Sequence, residues 1–247
     1  MEKMKLIIDG KRLDGRDLSE LRPIKIQAGI LNKADGSAYI EWGKNKILAA
    51  VYGPRECIPH HEASPYRAVI HCRYSMAPFS SLEEHGRSGP SRRSMEISKV
   101  IREVFENVII TEQFPKTAID IFIEILQADG GTRCAGITAA AVALANAGIP
   151  MKDLPCAVAA VKIDGQIGVD SAKLEDNFGE GDMPIAIATR KNELLLIQMD
   201  GMMSKEEFLK AISMAVEASS KINALQTQAL RELYSTKIGE IGPEESD

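Results

Sequence analysis

Cysteine is scarce: Cys57, Cys72, Cys134 and Cys156 are the only four, none forms a CxxC pair, and no histidine stands near them at zinc-finger spacing. A disulfide scaffold and a zinc module are therefore disfavoured, and buried thiols in a reducing compartment are expected. Positive charge is not in excess either, since the formal net charge is -5, so any contact with nucleic acid must come from a local basic patch. No cationic start precedes an apolar leader core, and no uninterrupted apolar segment approaches membrane-spanning length, which leads us to expect a cytoplasmic protein without membrane contact. No Ser-His-Asp or Cys-His arrangement is recognisable. No low-complexity linker divides the chain. With 45% hydrophobic and 26% charged residues, the 247 residues can bury a sizeable core, and we expect one α+β domain of two pseudo-similar strand-and-helix halves.

What is present centres on Gln127 to Gly148, QADGGTRCAGITAAAVALANAG. The preceding IDIFIEIL, Ile119 to Leu126, alternates and is β-branched, which predicts a strand, and the small residues Ala139 to Ala147 predict a tightly buried helix. Between them, Gly130 and Gly131 let a backbone approach a ligand, and free N–H groups at the helix start would face an anion with the positive end of the macrodipole behind them. Thr132 and Arg133 add donors that suit a tetrahedral oxyanion. The alternative is a tight strand-to-helix turn with an incidental arginine.

Met1 to Leu21 is charged and turn-rich, and is expected to form an arm on the surface. Strands are predicted at 24–30, 37–42, 46–52 and 68–76, with a polar loop over 53–67 that carries His60, His61, Tyr66 and Arg67. Pro78 to Pro90 reads as a further loop. After it, Ser91 or Ser94 can cap a helix whose apolar positions include Ile97, Ile101, Val104 and Phe105. Arg92 and Arg93 then fall in its first turn, where cations oppose the macrodipole. Binding a polyanion would account for them, as would solvation or an ion pair with Glu96. Hairpins are predicted over 156–169 and 185–199, a long helix over about 204–234, and a mobile acidic tail over 239–247. Leu174 to Asp182, LEDNFGEGD, is expected to be an acidic loop that curls Asp176 and Asp182 together. Such a pair can hold a divalent metal or keep one raised pKa for proton donation, although acidic loops are also commonly just solvated.

These residues resemble the RNase PH family of phosphorolytic exoribonucleases, and within it the catalytic RNase PH-like subunits of archaeal exosomes. The resemblance is carried by RLDGRDLSELRPI (12–24), DGSAYIEWGKNKILAAVYGPRE (35–56), SGPSRRSMEISKVIREVFE (88–106), LQADGGTRCAGITAA (126–140) and LEDNFGEGDMPIA (174–186). It implies an RNase PH fold and inorganic phosphate as co-substrate bound at Gly131, Thr132 and Arg133. It also implies RNA held by Arg92 and Arg93, and catalysis by Asp176 and Asp182, one serving as acid to the leaving 3′ oxygen or both helping to place a magnesium ion. In related polynucleotide phosphorylases a lysine that assists metal binding stands two residues beyond the second aspartate; here Pro184 stands there. The implied partners are single-stranded RNA, an inactive RNase PH-like paralogue alternating with this chain in a six-membered ring, and RNA-binding cap proteins. His61, Tyr66 and Arg67 would line the pore. The rival readings are a self-sufficient ring that trims transfer-RNA ends and a non-catalytic RNA-binding ring subunit.

Overall fold

A computed structural model describes residues 5–82 and 91–240, with side chains to residue 235. A small hairpin, β1 (Ile7–Ile8) and β2 (Lys11–Arg12), precedes β3 (Ile24–Ala28), β4 (Gly36–Trp42), β5 (Asn45–Glu56) and β6 (Val69–Met76). Helix α1 (Arg92–Val108), β7 (Thr117–Gln127), α2 (Thr132–Asn146), β8 (Pro155–Ile163) and β9 (Gln166–Val169) follow. The chain continues through α3 (Lys173–Phe178), β10 (Gly181–Ala188), β11 (Glu193–Ile197), β12 (Asp200–Gly201) and the long α4 (Lys205–Glu240). This is an α+β architecture.

The first sheet has the order β3-β4-β5-β7-β6, antiparallel except for the β6–β7 pair, whose strands are joined across the sheet by α1. The second has the order β11-β10-β8-β9, with β12 also on β10. Alternation in β5 places Asn45, Ile47, Ala49 and Val51 inside and their neighbours outward, as a half-buried strand requires. Helix α2 shows no polar face: every residue from Cys134 to Leu144 is buried, because the helix lies between the two sheets and touches β4, β5, β8 and β10. Alanine suits that position, since small side chains let backbone approach backbone without loss of helix propensity. A single apolar cluster runs from Ile26 through α2 to Ala229 and takes in both sheets.

Several expectations need correction. Helix α2 starts at Thr132, seven residues before the expected Ala139, so the Thr-Arg pair is helical. Strand β5 runs on to Glu56, and a short 3-10 turn occupies His60–Glu62 within the expected loop. The acidic stretch is not a loop: Asp176 lies on α3 and Asp182 on β10, each fixed by backbone pairing. The N-terminal arm is not simply superficial, because Leu6, Arg12 and Arg16 are buried. Leu6 joins Val161 and Ile163 in a small apolar cluster. Residues 83–90 of the second loop, and 241–247 of the tail, lie outside the described residues. Cys57, Cys134 and Cys156 are buried free thiols, as expected, and Cys72 is partly buried. Among the described residues no helix is long and apolar enough to cross a membrane.

Candidate active site

The turn between β7 and α2 is built for close approach. Gly130 has φ +78° and Gly131 φ +67°, and a Cβ on Gly130 would stand 2.7 Å from the Ala172 carbonyl carbon and the Lys173 nitrogen. A side chain there would collide with backbone, so the turn rests directly on the start of α3. Gly131 is the N-cap of α2 and supplies no side-chain cap. The first N–H groups of a buried 15-residue helix thus point outward with the positive end of its macrodipole.

Two buried side chains hold this turn from beneath. Asn45 donates through Nδ2 to the Gly130 carbonyl (2.6 Å) and accepts through Oδ1 from the Asp129 N–H (2.5 Å). Arg22 donates through Nη1 to the Asp129 carbonyl (2.7 Å) and through Nη2 to the Gly130 carbonyl (3.3 Å). The same guanidinium grips the buried Asp170, Nη2 to Oδ1 at 2.7 Å, while the Arg22 backbone N–H donates to Asp170 Oδ2 at 2.6 Å. Arg16 reaches the same carboxylate at 3.2 Å. Arg12 forks onto Glu175, with Nε 2.6 Å from Oε1 and a second short contact from Nη2 to Oε2. Glu175 also accepts from the Ala172 N–H at 2.8 Å, closing the first turn of α3. Removing one member of such a buried network typically costs about 3–5 kcal/mol, because a charge is left without its partner.

Glu175 is the residue before Asp176, so the arm fixes the first candidate carboxylate. Asp182 stands at the start of β10, opposite Asp200 of β12, and its Oδ1 accepts from Ser171 Oγ at 3.3 Å. Burial, and then the neighbouring charge of Asp176, push the Asp182 carboxyl up to about 7. Burial also raises Asp176, against the pull of Arg93, Arg133 and Arg22. With Asp182 raised to about 7 by burial and the charge of Asp176, the two carboxyls do not both ionise readily, so a proton is held on the pair near neutrality.

Thr132 Oγ1 and Tyr74 Oη share a hydrogen bond of 2.8 Å, tying the start of α2 to β6. Arg133 donates through Nη1 to Gln198 Oε1 in a short contact, and Gln198 Nε2 donates to Glu96 Oε1 at 3.3 Å. Ser91 caps α1, its Oγ accepting from the Ser94 N–H at 3.1 Å, so Arg92 and Arg93 do occupy a first turn that holds no acidic residue. Arg93 acts on Asp176 and lines a groove of about 930 Å³ between β6 and α1 that Tyr74 also lines. Arg92, its neighbour on α1, is exposed. Glu96 receives Gln198 rather than pairing with either arginine among the described residues.

The structure therefore gathers Gly131, Thr132, Arg133, Arg93, Asp176 and Asp182 at one cleft. His61, Tyr66 and Arg67 are elsewhere, on the segment before β6, and Tyr74 lies five residues into that strand, about 17 Å from its start. Tyr66 is 82% exposed. His71 links this segment to the sheet, with Nδ1 2.8 Å from Asp120 and Nε2 3.3 Å from Glu62. Asn45, Arg22, Asp170, Glu175, Tyr74 and Gln198 support the cleft and were not singled out from the sequence. Arg12, Arg16 and Arg22 lie in the RLDGRDLSELRPI stretch that carries part of the family resemblance, which was the available signal.

Similarity to known proteins identifies the family. Residues 20–150 match the model of the 3′ exoribonuclease family, domain 1, and residues 153–218 match domain 2. The chain is 58% identical over 234 residues to the exosome complex component Rrp41 of Thermococcus kodakarensis, with 94% of each protein covered. It is 56% identical over 233 residues to the Rrp41 of Thermoplasma volcanium, again with 94% of each covered. Rice Rrp46 superposes with a TM-score of 0.80 at 26% identity, covering 89% of this chain and 100% of that one. A chain of the Archaeoglobus fulgidus exosome with RNA bound to the active site superposes with a TM-score of 0.76 at 23% identity, covering 92% and 93%, which speaks for the fold alone. Family models over most of its length and relatives above half identity place this chain in the RNase PH group, the 3′ exoribonuclease family.

Proposed function

We propose that this chain is a phosphorolytic 3′-to-5′ exoribonuclease, the catalytic subunit of an archaeal exosome ring, which degrades single-stranded RNA with inorganic phosphate and releases nucleoside diphosphates. The observation that carries the reading is a half-buried carboxyl pair, with Asp182 raised to about 7, within reach of the charges of Arg133 and Arg93 beside the N-terminus of α2. A polyanion attacked by another anion needs charge neutralised, the nucleophile aligned and the leaving group protonated, and the cleft offers all three.

Inorganic phosphate sits against the N–H groups after Gly131, the Thr132 hydroxyl and the Arg133 guanidinium. Arg93, with Arg92 beside it, holds the RNA backbone. A phosphate oxygen attacks the last phosphodiester phosphorus, the bond from phosphorus to the 3′ oxygen of the penultimate nucleotide breaks, and that oxygen takes the proton of Asp182. The products are a nucleoside diphosphate and an RNA one nucleotide shorter with a free 3′ hydroxyl; run backwards, the same steps add tails. Ionised Asp176 keeps the Asp182 proton in place until the leaving group demands it.

Among the described residues no three His, Cys, Asp or Glu side chains form a closed metal site. Two carboxylates do fit magnesium, which commonly takes one or two protein carboxylates and completes its shell with water and substrate phosphates. As the alternative to proton donation by Asp182, both ionised carboxylates, Asp176 and Asp182, would hold such an ion, and it would supply further neutralisation of substrate charge. The ring we propose alternates this chain with an inactive paralogue beneath RNA-binding cap proteins in the cytoplasm, the chain acting as one unit from arm to α4. His61, Tyr66 and Arg67 face its pore.

The test is product identity. With 3′-labelled single-stranded RNA, nucleoside diphosphates should form only when phosphate is supplied. Nucleoside monophosphates released at the same rate in phosphate-free buffer would mean hydrolysis and overturn the reading.

A further inference from the structure

The Arg133 guanidinium is held at one end by a neutral amide whose other end is also committed. Gln198 lies just beyond β11, away in sequence from the helix α2 that carries Arg133, and its backbone N–H is paired to the Pro184 carbonyl at 3.2 Å. Its Oε1 accepts from Arg133 Nη1, and its Nε2 donates to Glu96 Oε1 at 3.3 Å. An amide can satisfy a cation on one side and a carboxylate on the other in only one orientation, because its oxygen only accepts and its nitrogen only donates. Glu96 therefore fixes which way Gln198 faces, and Gln198 fixes one edge of a guanidinium that carries five N–H donors. Glu96 stands one turn after Arg92 and Arg93 on α1, so this bridge joins the helix bearing the candidate RNA arginines to the helix bearing the candidate phosphate arginine.

We propose that Gln198 is a positioning residue for phosphate, acting through Arg133 and oriented by Glu96. The inference rests on the phosphate reading of Arg133. Neutrality is the central property of the bridge. A carboxylate in place of the amide would pair with Arg133 and compete with the incoming anion, whereas the amide orients the fork and leaves its charge available. The group touches neither the attacking oxygen nor the scissile bond, so it should act on the use of phosphate rather than on the chemical step. Gln198 and Arg133 are only partly buried and Glu96 is exposed, so substitution at Gln198 leaves the core intact.

The experiment measures initial rates of phosphorolysis against phosphate concentration, and separately against RNA concentration, for the full chain in its assembled active form. Gln198→Ala should raise the KM for phosphate about five- to tenfold, the scale of one missing ordinary hydrogen bond, with kcat within about twofold and the KM for RNA unchanged. Gln198→Glu should raise the phosphate KM further, since it also offsets the guanidinium charge. Both variants should melt with the parent. Arg133→Ala is run in parallel. If it raises the phosphate KM and neither Gln198 variant does, Gln198 has no positioning role and the inference fails alone. If Arg133→Ala leaves phosphate dependence untouched, the phosphate reading fails beneath it. A Gln198→Ala effect confined to kcat, or accompanied by a lowered melting temperature, would also overturn the proposal, because the bridge would then be structural.

Discussion

Asp182 carries the most testable chemistry. Asp182→Asn should lower kcat by about 10²–10⁴-fold, the usual scale for loss of a general acid, with RNA affinity unchanged or slightly improved because negative charge beside a polyanion is reduced. The parent's rate should fall as pH rises through about 7, where the acid form is lost. Asp176→Asn should move that fall to lower pH, because the charge of Asp176 raises Asp182 and its removal lets the proton leave earlier. A pH–rate series on the parent and Asp176→Asn checks both statements. The same carboxyl has a stability consequence. Its pKa in the fold is above its ordinary 3.8, so the native state holds a proton that the unfolded state releases between 3.8 and about 7, and this contribution is lost as pH rises through that window. Relative to parent, Asp182→Asn should therefore be more stable at pH 8 by on the order of 1–3 kcal/mol and gain little at pH 4, which paired thermal scans would reveal.

At the scale of elements, the two helix starts make opposite demands. The turn before α2 requires glycine: Gly130→Ala would combine a positive φ with an approach of 2.7 Å to the backbone of Ala172 and Lys173. It should push α3 and Asp176 away from the cradle, cost about 1–3 kcal/mol and depress phosphorolysis, with melting and single-turnover rates as the measurements. The start of α1 instead carries charge that the helix does not want. Replacing Arg92 and Arg93 with Ala should leave melting unchanged or slightly raised, weaken RNA binding irrespective of sequence, and make the salt dependence of log K shallower by roughly 0.7 for each RNA phosphate no longer neutralised. Binding titrations at several salt concentrations would detect this, and parental affinity with parental slope would sink the RNA role of the pair. The strands of the first sheet, the cap at Ser91 and the glycine turn were legible because each is written in local periodicity or backbone chemistry. Helix α3 was not. Its six residues, with two glycines soon after, look like a loop, and what makes Lys173–Phe178 helical is Arg12 reaching Glu175 from 163 residues away. The burial of Arg12, Arg16 and Arg22 was hidden for the same reason, since a charged turn-rich arm reads as solvated until Asp170 and Glu175 are placed beside it.

At the scale of the whole molecule, the segment proposed to meet incoming RNA and the candidate cleft lie towards opposite ends of β6. Tyr66 is exposed before the strand and Tyr74 is buried within it, so the stacking offered by the first should matter only to RNA long enough to reach both. Tyr66→Ala in the assembled ring should weaken binding of long single strands by about 1–3 kcal/mol and leave turnover of the shortest substrates unchanged. Comparing oligonucleotides of graded length would measure it, and an equal weakening at every length would remove the loop from the path. The lock between arm and cleft also has a bearing on how the protein is made. Arg22 must wait for Asp170, 148 residues later in the chain. At about 5–20 residues per second, a ribosome exposes the three arginines for roughly 7–30 s before their carboxylate partners exist. Throughout that interval the nascent polypeptide has neither an anchored glycine turn nor either aspartate, so the emerging enzyme is harmless to the message from which it is being read.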